Sequence, residues 1–152
     1  MSDTKDSHTD FAARPLGMRL AMLVRMWRAA INEAVAFTGL TQASWTTLMQ
    51  LSLQGEQTTV SELAYALGIE LPPLTRTLAT LEERGFINRV ADTADRRVKL
   101  ISLTDAGREV LEAVSQEIEK CQQRVTNNIP EPVMDEFSNT TNILAANMMK
   151  LL

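Results

Sequence analysis

The segment from residue 71 to residue 104 concentrates the side chains best suited to binding an anionic partner. Its six basic residues are Arg76, Arg84, Arg89, Arg96, Arg97 and Lys99. Its four acidic residues are Glu82, Glu83, Asp92 and Asp95, so the segment carries a net charge of +2. The whole chain of 152 residues carries −4, and the remainder must therefore carry −6. Because like charges repel, the acidic remainder would orient the basic segment toward a polyanion such as DNA.

Arg76 is the residue best placed to recognise a base. It falls early in a predicted helix with an apolar stripe at i, i+4 and i+7, formed by Leu74, Leu78 and Leu81. Arg76 lies off that stripe, and a guanidinium group can bind guanine O6 and N7 together. A phosphate contact or a solvated side chain is the alternative. The residues predicted to share the reading surface with Arg76 are Pro72, Pro73 and Thr75, at thymine methyl groups or phosphates, and Thr80.

A β-hairpin is predicted directly after this helix. Gly85 falls where a helix ends through a residue in the left-handed region. Two apolar runs follow, over residues 86–91 and 98–103, with a polar tip between them. A helix followed by a hairpin with a basic tip is typical of DNA recognition, because the helix fits the major groove and the tip can reach the adjacent minor groove.

Another short helix precedes the reading helix at helix–turn–helix spacing. Thr59 and Glu62 form a predicted capping box, and Gly68 ends the helix that follows. The reading helix is predicted to begin at about Pro72 or Pro73, because a residue before proline is pushed out of the helical region. An ordinary helical hairpin is the alternative explanation of these two helices alone.

Long amphipathic helices are predicted on both sides of this unit. They cover residues 16–37 and 105–127, the second of them capped by the Thr104 hydroxyl, and a last helix begins at Pro130 or Pro132. A shorter helix over residues 42–53 is capped by Thr41. The long helices carry more apolar residues than one stripe requires. A two-fold homodimer would cover that surplus and place two reading helices on one face of a duplex. A self-contained monomeric bundle is the alternative.

The predicted fold class is therefore mainly α (α+β), a winged helix–turn–helix with long N- and C-terminal dimerisation helices. Residues 1–13 are polar and are predicted to form a disordered tail. Residues 39–104 are predicted to form the DNA-binding domain, and residues 14–38 and 105–152 the helical dimerisation region.

The composition argues against catalysis and against metal binding. The chain has one His, His8 in the predicted tail, and one Cys, Cys121 at an apolar helical position. These counts exclude a disulfide framework and a Cys/His zinc site within a single chain. The position of His8 in the predicted tail argues against a Ser/His/Asp arrangement. No enzyme activity, cofactor or metal is expected. No apolar run approaches about 18 residues and no signal peptide heads the chain, so a cytoplasmic protein without membrane attachment is expected.

The residues Asp95-Arg96-Arg97, followed by Leu103-Thr104-Asp105-Ala106-Gly107, resemble the D-R-R … L-T-x-x-G signature of the MarR family of winged-helix transcriptional regulators. The segments Leu40-Thr41-Gln42 and Leu81-Glu82-Glu83-Arg84-Gly85 are similar to the SlyA/RovA branch of that family. The resemblance implies a homodimer that binds palindromic double-stranded DNA at promoters, as a repressor or by displacing nucleoid-associated silencers. It also implies release from DNA by small aromatic carboxylates such as salicylate. Pro73 and Thr75 depart from the family's reading helix, so the operator sequence does not follow from the resemblance.

The resemblance also assigns roles in the wing. Arg97 resembles the wing arginine that enters the minor groove, and Asp95 the residue that holds it by an ion pair. Arg96 and Lys99 are expected to contact phosphates. Arg89 is expected to be either a phosphate contact or an internal ion-pair partner.

By the same resemblance, a ligand pocket would lie near Arg25, Trp45 and Met49. An arginine can hold a carboxylate while a tryptophan and a methionine cover an aromatic ring. The alternative is core packing for Trp45 and Met49, with Arg25 in a surface ion pair.

A second class of function is a winged-helix module for protein–protein assembly without specific DNA binding. The wing and the reading helix would then bury apolar surface. The basic tip and the polar outward face of the helix count against this alternative.

Overall fold

The structure, a computed structural model, describes residues 10–55 and 57–152. Most of the predicted tail, including His8, therefore lies outside the described residues, as does Glu56. Residues 10–12 form a helical turn within the stretch predicted to be disordered. An ion pair between Arg14 and Asp10 closes this turn.

The described chain is mainly helical with one small antiparallel sheet, which confirms the predicted fold class. The helices are α1 (Leu16–Ala34), α2 (Gln42–Gln54), α3 (Val60–Leu67), α4 (Leu71–Glu83), α5 (Asp105–Thr126) and α6 (Glu131–Met149). The strands are β1 (Thr58–Thr59), β2 (Ile87–Ala91) and β3 (Lys99–Leu103). The chain divides into two compact units, one extending to Ile118 and the other from Glu119 to Leu152. Across residues 10–55 and 57–152, no helix combines the length and the apolar character needed to cross a membrane.

Side-chain caps start α2 and α3 where the sequence predicts them. Thr41 accepts a hydrogen bond from the Ser44 N–H at 3.2 Å. Thr59 accepts from the Glu62 N–H at 3.2 Å, and the Glu62 carboxylate accepts from the Thr59 N–H at 2.8 Å. These reciprocal bonds form the predicted capping box. The hydrogen bonds from the backbone N–H and then the hydroxyl of Thr59 lower the pKa of Glu62.

The reading helix α4 begins earlier than predicted. Leu71 and Pro72 lie inside it and Glu70 is its N-cap, so the expectation of a start at Pro72 or Pro73 was wrong. Both prolines fall in the first turn, where N–H groups have no partner within the helix, so their missing donors cost little. The end is as predicted, because Gly85 adopts the left-handed region with φ of 75°.

The three strands form an antiparallel sheet in the order β1–β3–β2. Arg89 and Thr58 both pair with Ile101, a fully buried residue of β3. The wing strands β2 and β3 each begin one residue later than the predicted apolar runs. The tip closes when the Asp92 N–H donates to the Val98 carbonyl, and the Val98 N–H to the Asp95 carbonyl, both at 2.9 Å.

The segment after β3 fixes α5 against the start of the wing. The Thr104 hydroxyl donates to the Gly85 carbonyl at 2.6 Å and accepts from the Gly107 N–H at 3.0 Å. Thr104 therefore caps α5, as predicted. A Cβ on Gly107 would lie 2.0 Å from the Phe86 carbonyl oxygen, so this close approach requires glycine.

The winged helix has its own core. Its largest fully buried residues are Leu48, Leu51, Leu63, Leu74, Leu78, Leu81, Ile87 and Ile101. They come from α2, α3, α4, β2 and β3, so the reading helix and the wing are packed against one close-packed interior.

The helices α1 and α6 leave much apolar surface uncovered. The first helix ends at Ala34, before a 3-10 turn over Ala36–Thr38, rather than near Phe37 as predicted. Of its apolar residues, Ile31 is buried, whereas Val24 and Trp27 are 50% and 36% exposed. In the other compact unit, none of the residues of α6 is buried.

Candidate nucleic-acid interface

One side of α4 faces the core and the other faces solvent. Leu74, Leu78 and Leu81 are fully buried, as the predicted stripe requires. The five residues predicted to share the reading surface are all exposed: Pro72, Pro73, Thr75, Arg76 and Thr80. The structure therefore places them together on the solvent side of one helix, where a DNA groove could receive them.

The threonine hydroxyls of α4 are turned back onto their own helix. Thr75 donates to the Leu71 carbonyl at 2.9 Å, and Thr80 donates to the Arg76 carbonyl at 3.2 Å. Thr77 makes the same kind of bond to the Pro73 carbonyl at 3.2 Å. Arg76 is the single basic side chain of α4, and its exposed guanidinium is the strongest hydrogen-bond donor on the reading surface.

The wing tip holds one arginine in a fixed direction. The Arg97 Nε lies 3.2 Å from the Asp95 Oδ1, and the second guanidinium contact, to Oδ2, is 3.4 Å. The Arg97 backbone N–H also donates to Asp95 Oδ1, at 3.0 Å. These bonds, the side-chain one first, lower the pKa of Asp95. The Arg97 side chain is nevertheless 91% exposed, so the brace orients a cation that remains open to a partner.

The other two predicted wing residues surround this brace. Arg96 and Lys99 are both exposed. Asp92 shapes the tip by accepting a hydrogen bond from the Ala94 N–H at 3.1 Å. The tip therefore presents two cations, Arg96 and Arg97, and Lys99 adds a third at the start of β3. Of the two tip arginines, Arg97 is the one paired with Asp95.

Two cations of the basic segment are committed to the fold instead. Arg89 donates from Nε to Glu82 at 2.8 Å, which ties β2 to the end of α4 and settles the choice in favour of an internal ion pair. That side-chain bond from Arg89 is also the main reason why the pKa of Glu82 is lowered.

Arg84 is a structural residue that the sequence did not reveal. Its guanidinium donates to the carbonyls of Thr38 at 2.8 Å and Gly39 at 3.0 Å. It also lies 4.8 Å from the centre of the Phe86 ring, within the range of a cation–π contact. Arg84 therefore joins the end of α4 to the turn after α1. No spacing rule connects residues so far apart in the chain.

The candidate ligand residues occupy different environments. Trp45 is 8% exposed, and its indole N–H donates to the Asn32 side chain at 2.8 Å. Met49 is half-buried and Arg25 is exposed. A separate cavity of about 130 Å³ is lined by Leu51, Ser52, Gly55, Leu103 and Arg108, none of which was predicted as a ligand residue.

A helix–turn–helix on a leucine core, followed by a basic hairpin with a braced arginine, defines a winged helix–turn–helix protein of the DNA-binding class. The MarR family model matches residues 40–99, which include the helix–turn–helix, β2 and the wing tip. The transcriptional regulator PA3341 is 30% identical, with 90% of this chain and 99% of that chain covered and a TM-score of 0.80. The chain belongs to the MarR family of transcriptional regulators.

Two further solved structures are similar in fold. CouR from Rhodococcus jostii RHA1, bound to p-coumaroyl-CoA, is 27% identical, with 89% of this chain and 94% of that chain covered and a TM-score of 0.76. A MarR variant from E. coli complexed with operator DNA is 24% identical, with 86% of this chain and 93% of that chain covered and a TM-score of 0.77.

Proposed function

We propose that this regulator binds palindromic promoter sites as a homodimer, with α4 in the major groove and the wing tip at the minor groove. The proposal rests on which arginines are bonded within the fold and which are exposed. Arg84 and Arg89 are bonded to other residues of the fold, whereas Arg76 and Arg97 are exposed on α4 and on the tip. Exposed guanidinium groups at these two places suit base edges and phosphates. A MarR variant of the same fold is complexed with operator DNA, which supports DNA binding by a chain of this fold.

The experiment is selection of bound duplexes from a random pool, followed by gel-shift titration at several salt concentrations. We expect enrichment of a palindrome and specific binding at least about 10³-fold tighter than binding to unrelated DNA. Enrichment of no sequence, with weak and uniform binding, would favour the protein–protein assembly module.

A second copy of this chain is the partner proposed for the uncovered apolar surface of α1 and α6. On α1, Leu16, Val24 and Trp27 are exposed. The Nε of Arg19, also on α1, is buried with no hydrogen-bond partner in the described part of the chain. A buried donor without a partner is costly, and another chain can supply the acceptor. Two copies related by a two-fold axis would also present two α4 helices to a palindromic site.

We further propose that small aromatic carboxylates such as salicylate release the protein from DNA. CouR, a protein of the same fold, is bound to p-coumaroyl-CoA, whose acyl group is aromatic, and this supports an aromatic effector. Arg25 offers an exposed guanidinium for the carboxylate, and Trp45 and Met49 offer ring and thioether surface. Because the Trp45 N–H is already bonded to Asn32, Trp45 would contribute the face of its ring rather than a hydrogen bond.

Salicylate titration of a Trp27→Phe variant tests this part, because Trp45 is then the remaining tryptophan. We expect quenching of Trp45 fluorescence at the same concentrations that weaken operator binding. The two effects must be linked, since a ligand shifts DNA affinity only through different affinities for the free and bound states. Quenching with unchanged operator affinity would indicate a binding site without a switch.

The segments quoted for the SlyA/RovA branch support placing the chain there. We accordingly propose that it acts in the cytoplasm as a repressor or by displacing nucleoid-associated silencers. In vitro transcription from the selected operator, with and without a silencing protein, distinguishes these modes. Inhibition of the unsilenced promoter indicates repression, and recovery of the silenced promoter indicates displacement.

A further inference from the structure

The solvent side of α4 offers little hydrogen-bonding chemistry apart from Arg76. Its other exposed polar residues are Thr75, Thr80, Glu82 and Glu83. Glu82 is paired with Arg89, and Glu83 carries a charge that phosphate repels. The two threonine hydroxyls each donate to the carbonyl four residues earlier, at 2.9 Å and 3.2 Å. Base recognition beyond Arg76 must therefore use something other than free hydroxyl donors.

Those back-bonds determine what each threonine shows to a groove. The threonine Cβ carries one hydroxyl and one methyl group in staggered positions. A hydroxyl held by the i−4 carbonyl selects one rotamer and so fixes the methyl group as well. Because the hydroxyls of these two exposed residues are bonded to the helix backbone, their γ-methyl groups are the part free to contact a groove. Pro72 and Pro73, exposed in the first turn, extend the same apolar character.

The base edges of the major groove carry one apolar group, the C5-methyl of thymine. We propose that α4 recognises thymine through the γ-methyl groups of Thr75 and Thr80, on the two sides of the Arg76 guanidinium along the helix. The operator half-site then combines a guanine read by Arg76 with thymines read by methyl contact. This inference rests on the proposed function, because it concerns the reading surface of the same site.

Substitution of thymine by deoxyuridine tests the DNA side. The change removes the C5-methyl group and leaves the hydrogen-bonding groups of the base in place. In the selected operator, each thymine of the half-site is replaced singly. We expect about a fourfold loss of affinity at each contacted thymine, the effect of exposing one methyl-sized apolar group, and no loss at thymines elsewhere in the duplex.

Two substitutions at Thr75 separate its methyl group from its hydroxyl. Thr75→Val keeps a methyl group and removes the hydroxyl, and we expect affinity within about twofold of wild type. Thr75→Ser keeps the hydroxyl and removes the methyl, and we expect about a fourfold loss per half-site, or about sixteenfold for a dimer on a palindrome. The serine variant should also become insensitive to deoxyuridine at the matched position, because the contact has already been lost. The same pair of variants is made at Thr80.

Thr77 provides the matched control. Its hydroxyl makes the same back-bond, at 3.2 Å, but the residue is half-buried toward the core stripe. Thr77→Ser should change operator affinity less than about twofold, with the same helicity by circular dichroism.

The opposite pattern would overturn the inference. A hydroxyl that has donated its hydrogen still has lone pairs for an adenine or cytosine amino group. In that case Thr75→Val weakens binding, Thr75→Ser does not, and deoxyuridine has no effect. If a sequence is selected but tolerates deoxyuridine at every thymine, the protein still binds a specific operator, and recognition of thymine methyl groups is wrong. If no sequence is selected at all, the proposed sequence-specific DNA binding is itself wrong.

Discussion

At the scale of single residues, the role of Arg76 can be tested directly by measuring how its variants bind the operator. We predict that Arg76→Ala costs about 1–3 kcal/mol per half-site and relaxes preference at one base pair. Arg76→Lys is the control, because lysine keeps the charge and loses the planar fork that binds guanine at two points. If Arg76 contacts phosphate instead, the lysine variant will bind almost as well as wild type and the loss from alanine will be uniform across sequences.

Asp95 is the more revealing residue of the wing. A charge argument says that Asp95→Ala strengthens DNA binding, because it removes an anion near phosphate. The geometry predicts weaker binding instead. Two contacts from this carboxylate already hold the Arg97 side chain, and without them Arg97 would lose rotamer freedom on entering the groove. Since the Arg97 bonds lower the pKa of Asp95, the brace is complete at neutral pH and is lost only as the pH falls through that lowered pKa.

We therefore predict that Asp95→Ala weakens operator binding several-fold at physiological salt, with an unchanged circular dichroism spectrum. Arg97→Ala should reduce the slope of log affinity against log salt by about 2 for a dimer that uses both wings. Tighter binding by Asp95→Ala would mean that the carboxylate acts as a repulsive charge and that Arg97 is not positioned by it.

At the scale of elements, Gly107 determines how closely α5 approaches the wing. We predict that Gly107→Ala destabilises the fold by about 1–3 kcal/mol or more, because its Cβ would lie 2.0 Å from the Phe86 carbonyl oxygen. Gly17→Ala is the control, since within the described residues its Cβ position meets nothing within 4 Å beyond its own turn of helix, and alanine favours helix. Urea unfolding measures both. Equal stability of the two variants would show that α5 can move away from the hairpin without cost.

Arg84 ties the end of the reading helix to the turn after α1. We predict that Arg84→Ala lowers the free energy of unfolding by about 1–2 kcal/mol, because two charge-assisted hydrogen bonds to the Thr38 and Gly39 carbonyls are lost at a partly hydrated site. The salt slope of DNA binding should stay within error of wild type, unlike that of Arg97→Ala. A slope reduced by about 2, with unchanged stability, would make Arg84 a phosphate contact.

Local sequence signals predicted most elements of the winged helix. The capping box at Thr59, the left-handed glycines Gly68 and Gly85, and the Thr104 cap are decided by neighbouring residues, so they could be predicted. The start of α4 could not be predicted, because two local effects oppose each other there. Residues before proline tend to leave the helical region, whereas the first turn of a helix tolerates the missing N–H donors of proline.

The sequence indicated which residues of the candidate site are exposed, but it did not indicate most of the hydrogen bonds that these and neighbouring residues make. The five residues of α4 predicted to contact DNA are exposed, as the helical period indicates, and Asp95 pairs with Arg97, as the family resemblance implies. The bonds from Arg84 to Thr38 and Gly39 join distant parts of the chain, and periodicity carries no such information. Nor does a sequence show that the hydroxyls of Thr75 and Thr80 are turned inward.

At the scale of the whole molecule, the apolar surface of α6 sets the expected assembly. Phe137 is 52% exposed and no residue of α6 is buried, so this helix contributes little burial of its own surface within one chain. Without a partner, such a surface would remain hydrated at a cost of about 25 cal/mol per Å² relative to burial. The stability of a chain that needs a partner rises with protein concentration by mass action.

We predict that light scattering at micromolar concentration gives about twice the chain mass of 16.9 kDa, and that the unfolding temperature rises with protein concentration. Phe137→Asp should shift the mass toward the monomer, because it would place an unpaired charge in the covered surface. Tyr65→Asp is the control, an aromatic-to-acid change on α3 at a residue 91% exposed and outside the predicted dimerisation region. It should leave the dimer intact, since an exposed substitution is usually nearly neutral. A wild-type monomer, or a Phe137→Asp variant as dimeric as the control, would require α6 to be covered in another way and would leave the palindrome without a two-fold partner.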